Sequence, residues 1–228
     1  MDAEALSALI DATWPSASTE VRGGWRIRHD PAGGNRVSAS TALIKGHMTL
    51  TDAPLYMVRP GEEELDALLA VKGFKRKDPT LVMTARCGDI AADVPRDAVL
   101  FCDHAPALLR EIWGEGGIGP GRLAIMHRAK APKTILLGRH KDRAAAAAFL
   151  AVHETTAMLH ALHVAPTARR TGLARRMMQG AAAWAILHGA QTFAVLVTEA
   201  NGPAQALYQG LGFETVARYH YRKRPEKP

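Results

Sequence analysis

Two short stretches of this chain hold residues whose types and spacing suit chemistry on a phosphate-bearing ligand. The first reads Val164-Ala165-Pro166-Thr167-Ala168-Arg169-Arg170-Thr171-Gly172-Leu173-Ala174. An apolar strand there runs into a turn that opens a long helix. The N–H groups at such a helix start have no partner within the helix, and they bind anions. Gly172 carries no side chain, so backbone can approach a phosphate closely. Ala174 keeps the next turn small, and Arg169 and Arg170 bring positive charge to the mouth. The arrangement suits a pyrophosphate cradle, although an Arg-x-x-Gly-x-Ala string also starts many ordinary helices.

The second stretch reads Asn201-Gly202-Pro203-Ala204-Gln205-Ala206-Leu207-Tyr208-Gln209-Gly210-Leu211-Gly212-Phe213. At helical spacing Ala204, Leu207, Tyr208 and Leu211 share a face, and the small Ala204 leaves room for something to approach. Taken alone, Tyr208 equally suits a core aromatic with its hydroxyl at the surface, and Asn201 a simple helix cap.

The elements around these stretches must position them. Residues 158–164 read as a strand and 172–188 as a long helix with Leu173, Met177, Ala181, Trp184 and His188 on one stripe. Residues 193–198 read as a buried strand, 202–211 as a short helix with Pro203 in its first turn, and 213–221 as a strand.

In this order, joined by an apolar strand, the two stretches resemble the GNAT superfamily of N-acetyltransferases. Residues 169–174 are similar to that family's Gln/Arg-x-x-Gly-x-Gly/Ala loop. Asn201-x-x-Ala204-x-x-Leu207-Tyr208-x-x-Leu211-Gly212-Phe213 is similar to its C-terminal motif, and is the more specific of the two. The resemblance implies an α/β (α+β) fold, a twisted mixed β-sheet flanked by helices. It implies that strand 158–164 splays from strand 193–198 and that acetyl-coenzyme A sits in the gap. Backbone of Leu162, His163 and Val164 would then pair with the pantetheine arm. Amides of Arg169, Arg170, Thr171, Gly172, Leu173 and Ala174 would hold the pyrophosphate. Asn201 and Ala204 would border the arm, and Tyr208 would protonate the departing thiolate. The implied reaction is direct acetyl transfer to a primary amine, with a non-catalytic acetyl-coenzyme A binding regulatory module as the alternative.

Family members often place a glutamate base on the cofactor-binding strand. Here that strand reads Leu159-His160-Ala161-Leu162-His163-Val164, and His163 is the candidate base, since neutral imidazole accepts a proton near neutral pH. A structural histidine with one hydrogen bond is the competing reading. Glu199 is a second candidate. His160 and His163 stand three apart, which on a regular strand places them on opposite faces and rules out a shared metal. No metal site is expected.

Upstream, residues 4–14 read as a helix, 25–28 as a strand, 30–35 as a turn, 37–43 and 55–58 as strands, 62–71 as a helix with an acidic first turn, and 81–85 as a strand. Residues 89–99 read as a link. Residues 106–113 read as a helix, and 123–127 and 134–138 as strands around a basic loop, with Arg128, Lys130 and Lys133 able to attract an acidic acceptor or to face water. Residues 144–152 are awkward: alanine favours helix, but the flanking turns and Phe149-Leu150-Ala151-Val152 favour strand, which is the reading taken. The helix, Gly73-Phe74 and strand of the first half echo residues 207–213 and the strand after them. Trp25-Arg26-Ile27-Arg28 followed by Gly34-Asn35-Arg36-Val37-Ser38-Ala39 also resembles an early segment of some GNAT proteins. A tandem chain is therefore expected, with residues 1–95 a degenerate GNAT-like copy walling the acceptor pocket and 96–228 the catalytic copy. An unrelated N-terminal extension is the alternative.

Bulk properties bound these readings. The chain has 228 residues, 47% hydrophobic and 22% charged, ordinary for a globular protein with a core of its own. Its two cysteines, Cys87 and Cys102, form no C-x-x-C pair, which excludes a cysteine zinc site and suits a reducing compartment. The start Met1-Asp2-Ala3-Glu4 has no signal-peptide pattern, and the apolar run 144–152 is too short to span a bilayer. A cytoplasmic protein with no membrane partner is expected. The net charge of +7 suits an anionic ligand. The basic, aromatic stretch Tyr219-His220-Tyr221-Arg222-Lys223-Arg224 raises nucleic acid, but a solvated terminal strand is the commoner use of such a sequence. The acceptor and the oligomeric state stay open.

Overall fold

The computed structural model describes residues 1–44, 46–95 and 97–225. In chain order the helices are α1 (Ala3–Thr13), α2 (Asn35–Ser38), α3 (Glu63–Val71), α4 (Cys87–Ile90), α5 (Ala107–Glu115), α6 (Pro120–Arg128), α7 (Leu173–Leu187) and α8 (Gly202–Gln209). The strands are β1 (Ser18–Arg22), β2 (Trp25–His29), β3 (Thr41–Ala42), β4 (Leu55–Val58), β5 (Lys75–Arg86), β6 (Val99–Cys102), β7 (Lys133–His140), β8 (Arg143–His153), β9 (Thr156–Val164), β10 (Thr192–Thr198) and β11 (Glu214–Lys223). The architecture is mixed α/β. Among the described residues the main sheet has eight strands in the order β4-β11-β5-β10-β9-β8-β7-β6, and β1-β2-β3 form a small second sheet.

Strand β8 explains how helices reach both faces of the main sheet. Ala146 and Ala148 pack into the core with Leu173, Met177 and Ala181 of α7. Ala147 and Phe149 point to the other face, with Trp14 after α1 and with Leu109, Ile112 and Trp113 of α5. Side chains of one carbon let both layers come close. Close packing on both faces, not local propensity, holds this alanine run extended. Helix α1 continues along the second face, where Leu6 and Ile10 pack on Met57, Val82, Tyr219 and Tyr221.

The two halves interleave. Strands β4 and β5 flank α3, as β10 and β11 flank α8. β11 pairs antiparallel with β4 from Lys223↔Leu55 to His220↔Val58, and β5 lies between β10 and β11. The last strand of each strand–helix–strand unit thus lies against the other unit. Three ion pairs tie the N-terminal segment together and to the rest: Arg28 with Asp11 at 2.8 Å, Arg59 with Glu62, and Arg128 of α6 with the buried Asp30.

Three sequence expectations need correction. Residues 37–43 do not form one strand. Gly34, at φ 90°, turns the chain into the short helix α2, and only Thr41–Ala42 is extended. Residues 123–127 are helical, inside α6. Pro120 sits at its first position, where a missing N–H removes nothing, and Lys133 Nζ donates to the terminal carbonyls of Met126 and His127 at 3.1 and 2.6 Å. The strand expected over 81–85 extends back to Lys75, because β11 supplies hydrogen-bond partners as far as Lys75↔Lys223. Of the basic tail, residues 226–228 lie outside the described residues, and Arg222 and Lys223 close β11. No helix among the described residues is long and apolar enough to cross a membrane.

The shared sheet yields a prediction. A chain starting at residue 96 lacks β5 and exposes the facing edges of β10 and β11, leaving their ladder groups unpaired. It is expected to be insoluble or to lack a cooperative melting transition by circular dichroism. A soluble fragment with a sharp transition would show that the interleaved strand is dispensable.

Candidate functional site

Strands β9 and β10 pair in parallel only from Thr192↔Thr156 to Val195↔Leu159. Past Leu159 they part, because Ala161 takes up left-handed backbone at φ 53°. Against β8 the register jumps from Phe149↔His160 to Ala147↔His163, the mark of a β-bulge. Left-handed backbone costs a residue with a Cβ about 1–2 kcal/mol, so something must hold it. The fully buried Trp113 does so: its indole N–H donates to the carbonyl of Ala161 at 2.8 Å. The bulge also changes which way side chains point. The extra residue brings His160 and His163 onto the same face, toward α1 and α5, which corrects the opposite-face expectation.

A cavity of about 810 Å³ opens at this splay. From β9 its walls take Leu162, His163 and Val164; from the turn and α7 they take Arg169, Arg170, Gly172, Leu173 and Ala174. Asn201, Ala204 and Tyr208 of α8 and its cap close the other side. Of the residues expected to bind the cofactor, Thr171 alone is not on the wall; its hydroxyl donates to the carbonyl of Ala168 at 2.8 Å.

At the mouth of α7 the chain offers free donors. The N–H groups of Arg170 to Arg175 donate to no protein acceptor among the described residues. Arg170 and Gly172 have φ of 63° and 80°, a left-handed pair that turns successive amides into one concavity. A Cβ on Gly172 would approach nothing closer than Arg176 Nη1 at 3.5 Å, so the glycine is there for its backbone angle and for the open space before it. Arg169 Nε donates to the Val164 carbonyl at 3.1 Å, which brings its charge to the end of β9 and engages that carbonyl. The cradle fits a pyrophosphate on its own geometry.

Burial raises the Tyr208 pKa to about 12, with no other cause acting. Its ring packs on Phe213 with centroids 5.6 Å apart. The phenol therefore stays protonated through the neutral range and has a proton to give. His163 is held below the ordinary histidine pKa, first by burial and then by the charge of Arg169, against the opposing charge of Glu115. Its imidazole is neutral near pH 7, and its enclosed Nε2 has no protein partner among the described residues. Asn201 does cap α8, accepting from the Ala204 N–H at 3.2 Å, which leaves its amide NH₂ free. Glu199 is exposed, pairs with Arg218 at 3.2 Å and is not on the cavity wall.

Sequence reasoning gave no site role to four residues that the fold brings here. Trp113 holds the bulge. Gly116, after α5, abuts the His163 ring so closely that a Cβ would overlap it. Arg36 and His160 line the same cavity from the second face, joined by a 3.2 Å contact between Arg36 Nη1 and His160 Nδ1. No local pattern marks any of them, since each depends on a partner far along the chain. The basic loop at Arg128 and Lys133 is structural, engaged with Asp30 and with the end of α6.

A splayed mixed sheet with an anion cradle in the gap defines a class of acyl-transfer fold. Residues 105–213 match the Acetyltransferase (GNAT) family, and that segment is a GNAT acetyltransferase domain, which makes the chain an acyltransferase enzyme. No curated protein matches the sequence. Among solved structures, a GCN5-related N-acetyltransferase from Kribbella flavida is similar over 100% of this chain and 96% of its own, with TM-score 0.72 and 18% identity. A functionally unknown conserved protein from Staphylococcus epidermidis is similar over 92% of this chain and 94% of its own, with TM-score 0.64 and 8% identity. A tandem GNAT protein from the clavulanic acid biosynthesis pathway is similar over 76% of this chain and 65% of its own, with TM-score 0.58 and 14% identity. At these identities the likeness is one of fold.

The Gly116 contact is testable without any ligand. Gly116→Ala should push the imidazole of His163 outward and destabilise the protein by about 1–3 kcal/mol. The His163 pKa, followed by NMR titration, should rise toward its ordinary value of about 6.5. An unchanged titration curve would contradict the packing.

Proposed function

We propose that the chain transfers an acetyl group from acetyl-coenzyme A directly to a primary amine. One observation carries this reading: the splay between β9 and β10 opens a single cleft that holds both the unpartnered amides at Gly172 and the buried hydroxyl of Tyr208. Amides of Arg170 to Ala174 hold the pyrophosphate, with the charges of Arg169 and Arg170 beside them. The parted edge of β9, at Leu162 to Val164, runs along the pantetheine arm, and Ala204 and the free amide of Asn201 border it.

Bound acetyl-coenzyme A supplies a thioester, a carbonyl carbon open to attack with a thiolate as leaving group. His163 takes the proton that the amine sheds as its nitrogen bonds to that carbon. Tyr208 gives its hydroxyl proton to the sulfur as the carbon–sulfur bond breaks, so charge balances at both ends. General acid catalysis of this kind contributes roughly 10²–10⁴-fold. No metal takes part in this reading.

We take residues 1–95 to be a degenerate GNAT-like copy and 96–228 the catalytic one. The support is the exchange of last strands between two strand–helix–strand units, seen in the order β4-β11-β5-β10. The first copy has no counterpart of the Gly172 turn, and its α2 walls the cleft with Arg36. We place the protein in the cytoplasm, where acetyl-coenzyme A is at hand and thiols such as those of Cys87 and Cys102 remain reduced.

Two measurements test the reading. Acetyl-coenzyme A at a hundredfold excess over its dissociation constant should stabilise the native chain by about 2.7 kcal/mol, and Gly172→Glu, with strained backbone and a negative charge in the cradle, should lose the shift. No shift in the native chain overturns the cofactor assignment. Tyr208→Phe should lower turnover by about 10²–10⁴-fold while the acetyl-coenzyme A melting shift persists. Unchanged turnover would remove Tyr208 as the acid, and a melting shift without turnover on any amine would favour the regulatory binding module.

A further inference from the structure

We propose that Arg36 binds the carboxylate of the amine acceptor, which makes the acceptor a small aminocarboxylate; this rests on the acetyl-transfer reading of the same cleft.

Arg36 is a cation the fold encloses without an anion. Its Nε is buried with no hydrogen-bond partner, and Arg36 forms no ion pair among the described residues. The other enclosed arginines are treated differently: Arg28 has Asp11, Arg59 has Glu62 and Arg128 has Asp30. The groups that meet Arg36 directly are the hydroxyls of Tyr219 and Tyr221 and the ring of His160, while Asp78 and Arg122 stand on the wall of a cavity that Arg36 also lines. Burial works against the charge of Arg36, the Tyr219 and Tyr221 hydroxyls outweigh it, and the guanidinium stays charged with no carboxylate to neutralise it.

The guanidinium is also held in place from behind. Arginine only donates, so His160 Nδ1 must accept from Arg36, at 3.2 Å. His160 Nε2 then carries the hydrogen and donates to Thr13 Oγ1 at 3.1 Å, and Thr13 in turn donates to the Leu9 carbonyl at 2.7 Å. Trp14 stacks on the His160 ring with centroids 4.7 Å apart. Burial and the Arg36 charge keep His160 neutral, so the relay does not compete for an anion. What remains without a partner is the enclosed Nε edge of a planar fork, the shape that takes two carboxylate oxygens once a ligand reaches it.

Position and size select the ligand. Arg36 lines a second cavity of about 250 Å³, together with Asp78, Tyr219 and Tyr221. It shares His160, Ala161 and Leu196 with the main cleft, so it lies across the splay from the Gly172 cradle. The second cavity is much smaller than the main cleft, which suits a small acid. Asp78, which accepts from Asn35 Nδ2 at 2.7 Å, and Arg122 stand on the same wall. An acceptor with its carboxylate at Arg36 then directs its amine through the gap, toward His163.

The test pairs each proteinogenic amino acid, with β-alanine and γ-aminobutyrate, against its decarboxylated amine, following thiol release from acetyl-coenzyme A. The expected result is at least one aminocarboxylate favoured in kcat/KM by about 100-fold over its amine. In Arg36→Met that ratio should collapse toward one, mainly through KM, and Arg36→Lys should restore part of it. Calorimetry of the favoured aminocarboxylate on the acetyl-coenzyme A-free protein should show binding that Arg36→Met abolishes, with a melting curve to confirm that the variant folds. Equal or faster transfer to the decarboxylated amines, or an undiminished ratio in folded Arg36→Met, overturns the proposal. Acetyl-coenzyme A binding without transfer to any aminocarboxylate also overturns it and leaves the cofactor reading standing. Failure of acetyl-coenzyme A to bind removes both.

Discussion

A single hydrogen bond, from the indole of Trp113 to the carbonyl of Ala161, supports the geometry on which the site depends. Without a fixed partner a left-handed alanine inside a strand would relax, and β9 would run on beside β10 as a regular parallel pair. With it, one extra residue is stored in β9 and the two strands diverge after Leu159. The divergence leaves backbone and side chains facing an open gap in the middle of the eight-stranded sheet. A sheet interior is otherwise among the least accessible parts of a protein. The strain is local, and the packing of α5 on β8 and β9 sustains it, as expected where distortion serves a site.

The gap joins two chemically different faces. On the side of α7 stand a run of unpartnered amides and the buried phenol of Tyr208. On the side of α1 and α5 stand His163, His160 and the guanidinium of Arg36. The bulge puts both histidines on this second face, yet their surroundings separate their work. His160 is fully enclosed and has both ring nitrogens engaged, so it positions. His163 is only partly buried and has an enclosed nitrogen without a protein partner, so it can exchange a proton. Both are held neutral chiefly by loss of water, one far more than the other.

The interleaving of the two halves makes the N-terminal segment part of the site. β5 completes the sheet beside β10, and α2 reaches the cleft only because β4 lies against β11 and the chain from β2 to β4 folds over the second face. The ion pairs of Arg28, Arg59 and Arg128 fix that segment where it lies. Such pairs are costly to break one partner at a time, because the remaining charge stays buried. Arg36, set among them, has no carboxylate partner among the described residues.

Much of this was legible in the residues themselves. The Arg169 to Ala174 turn and the Asn201 to Phe213 helix announce themselves because their function is local: a helix start needs a glycine, a cap needs an asparagine, and both lie within a dozen residues. The long helix α7 and the strands beside it follow from apolar periodicity for the same reason. Other features were decided only by tertiary contact. The alanine run of β8, read as a strand from its flanking turns and Phe149 to Val152, needs helices packed on both faces to hold it extended. Residues 123–127 are helical because Pro120 and Lys133 secure the two ends of α6. The strand at 81–85 begins at Lys75 because β11, far along the chain, pairs with it. The bulge at Ala161, and with it the shared face of His160 and His163, depends on an indole from another helix. Local sequence fixes conformations whose partners are near neighbours. Where the stabilising partner is distant, as for Trp113 with Ala161 or Arg36 with His160, only the assembled structure reveals it.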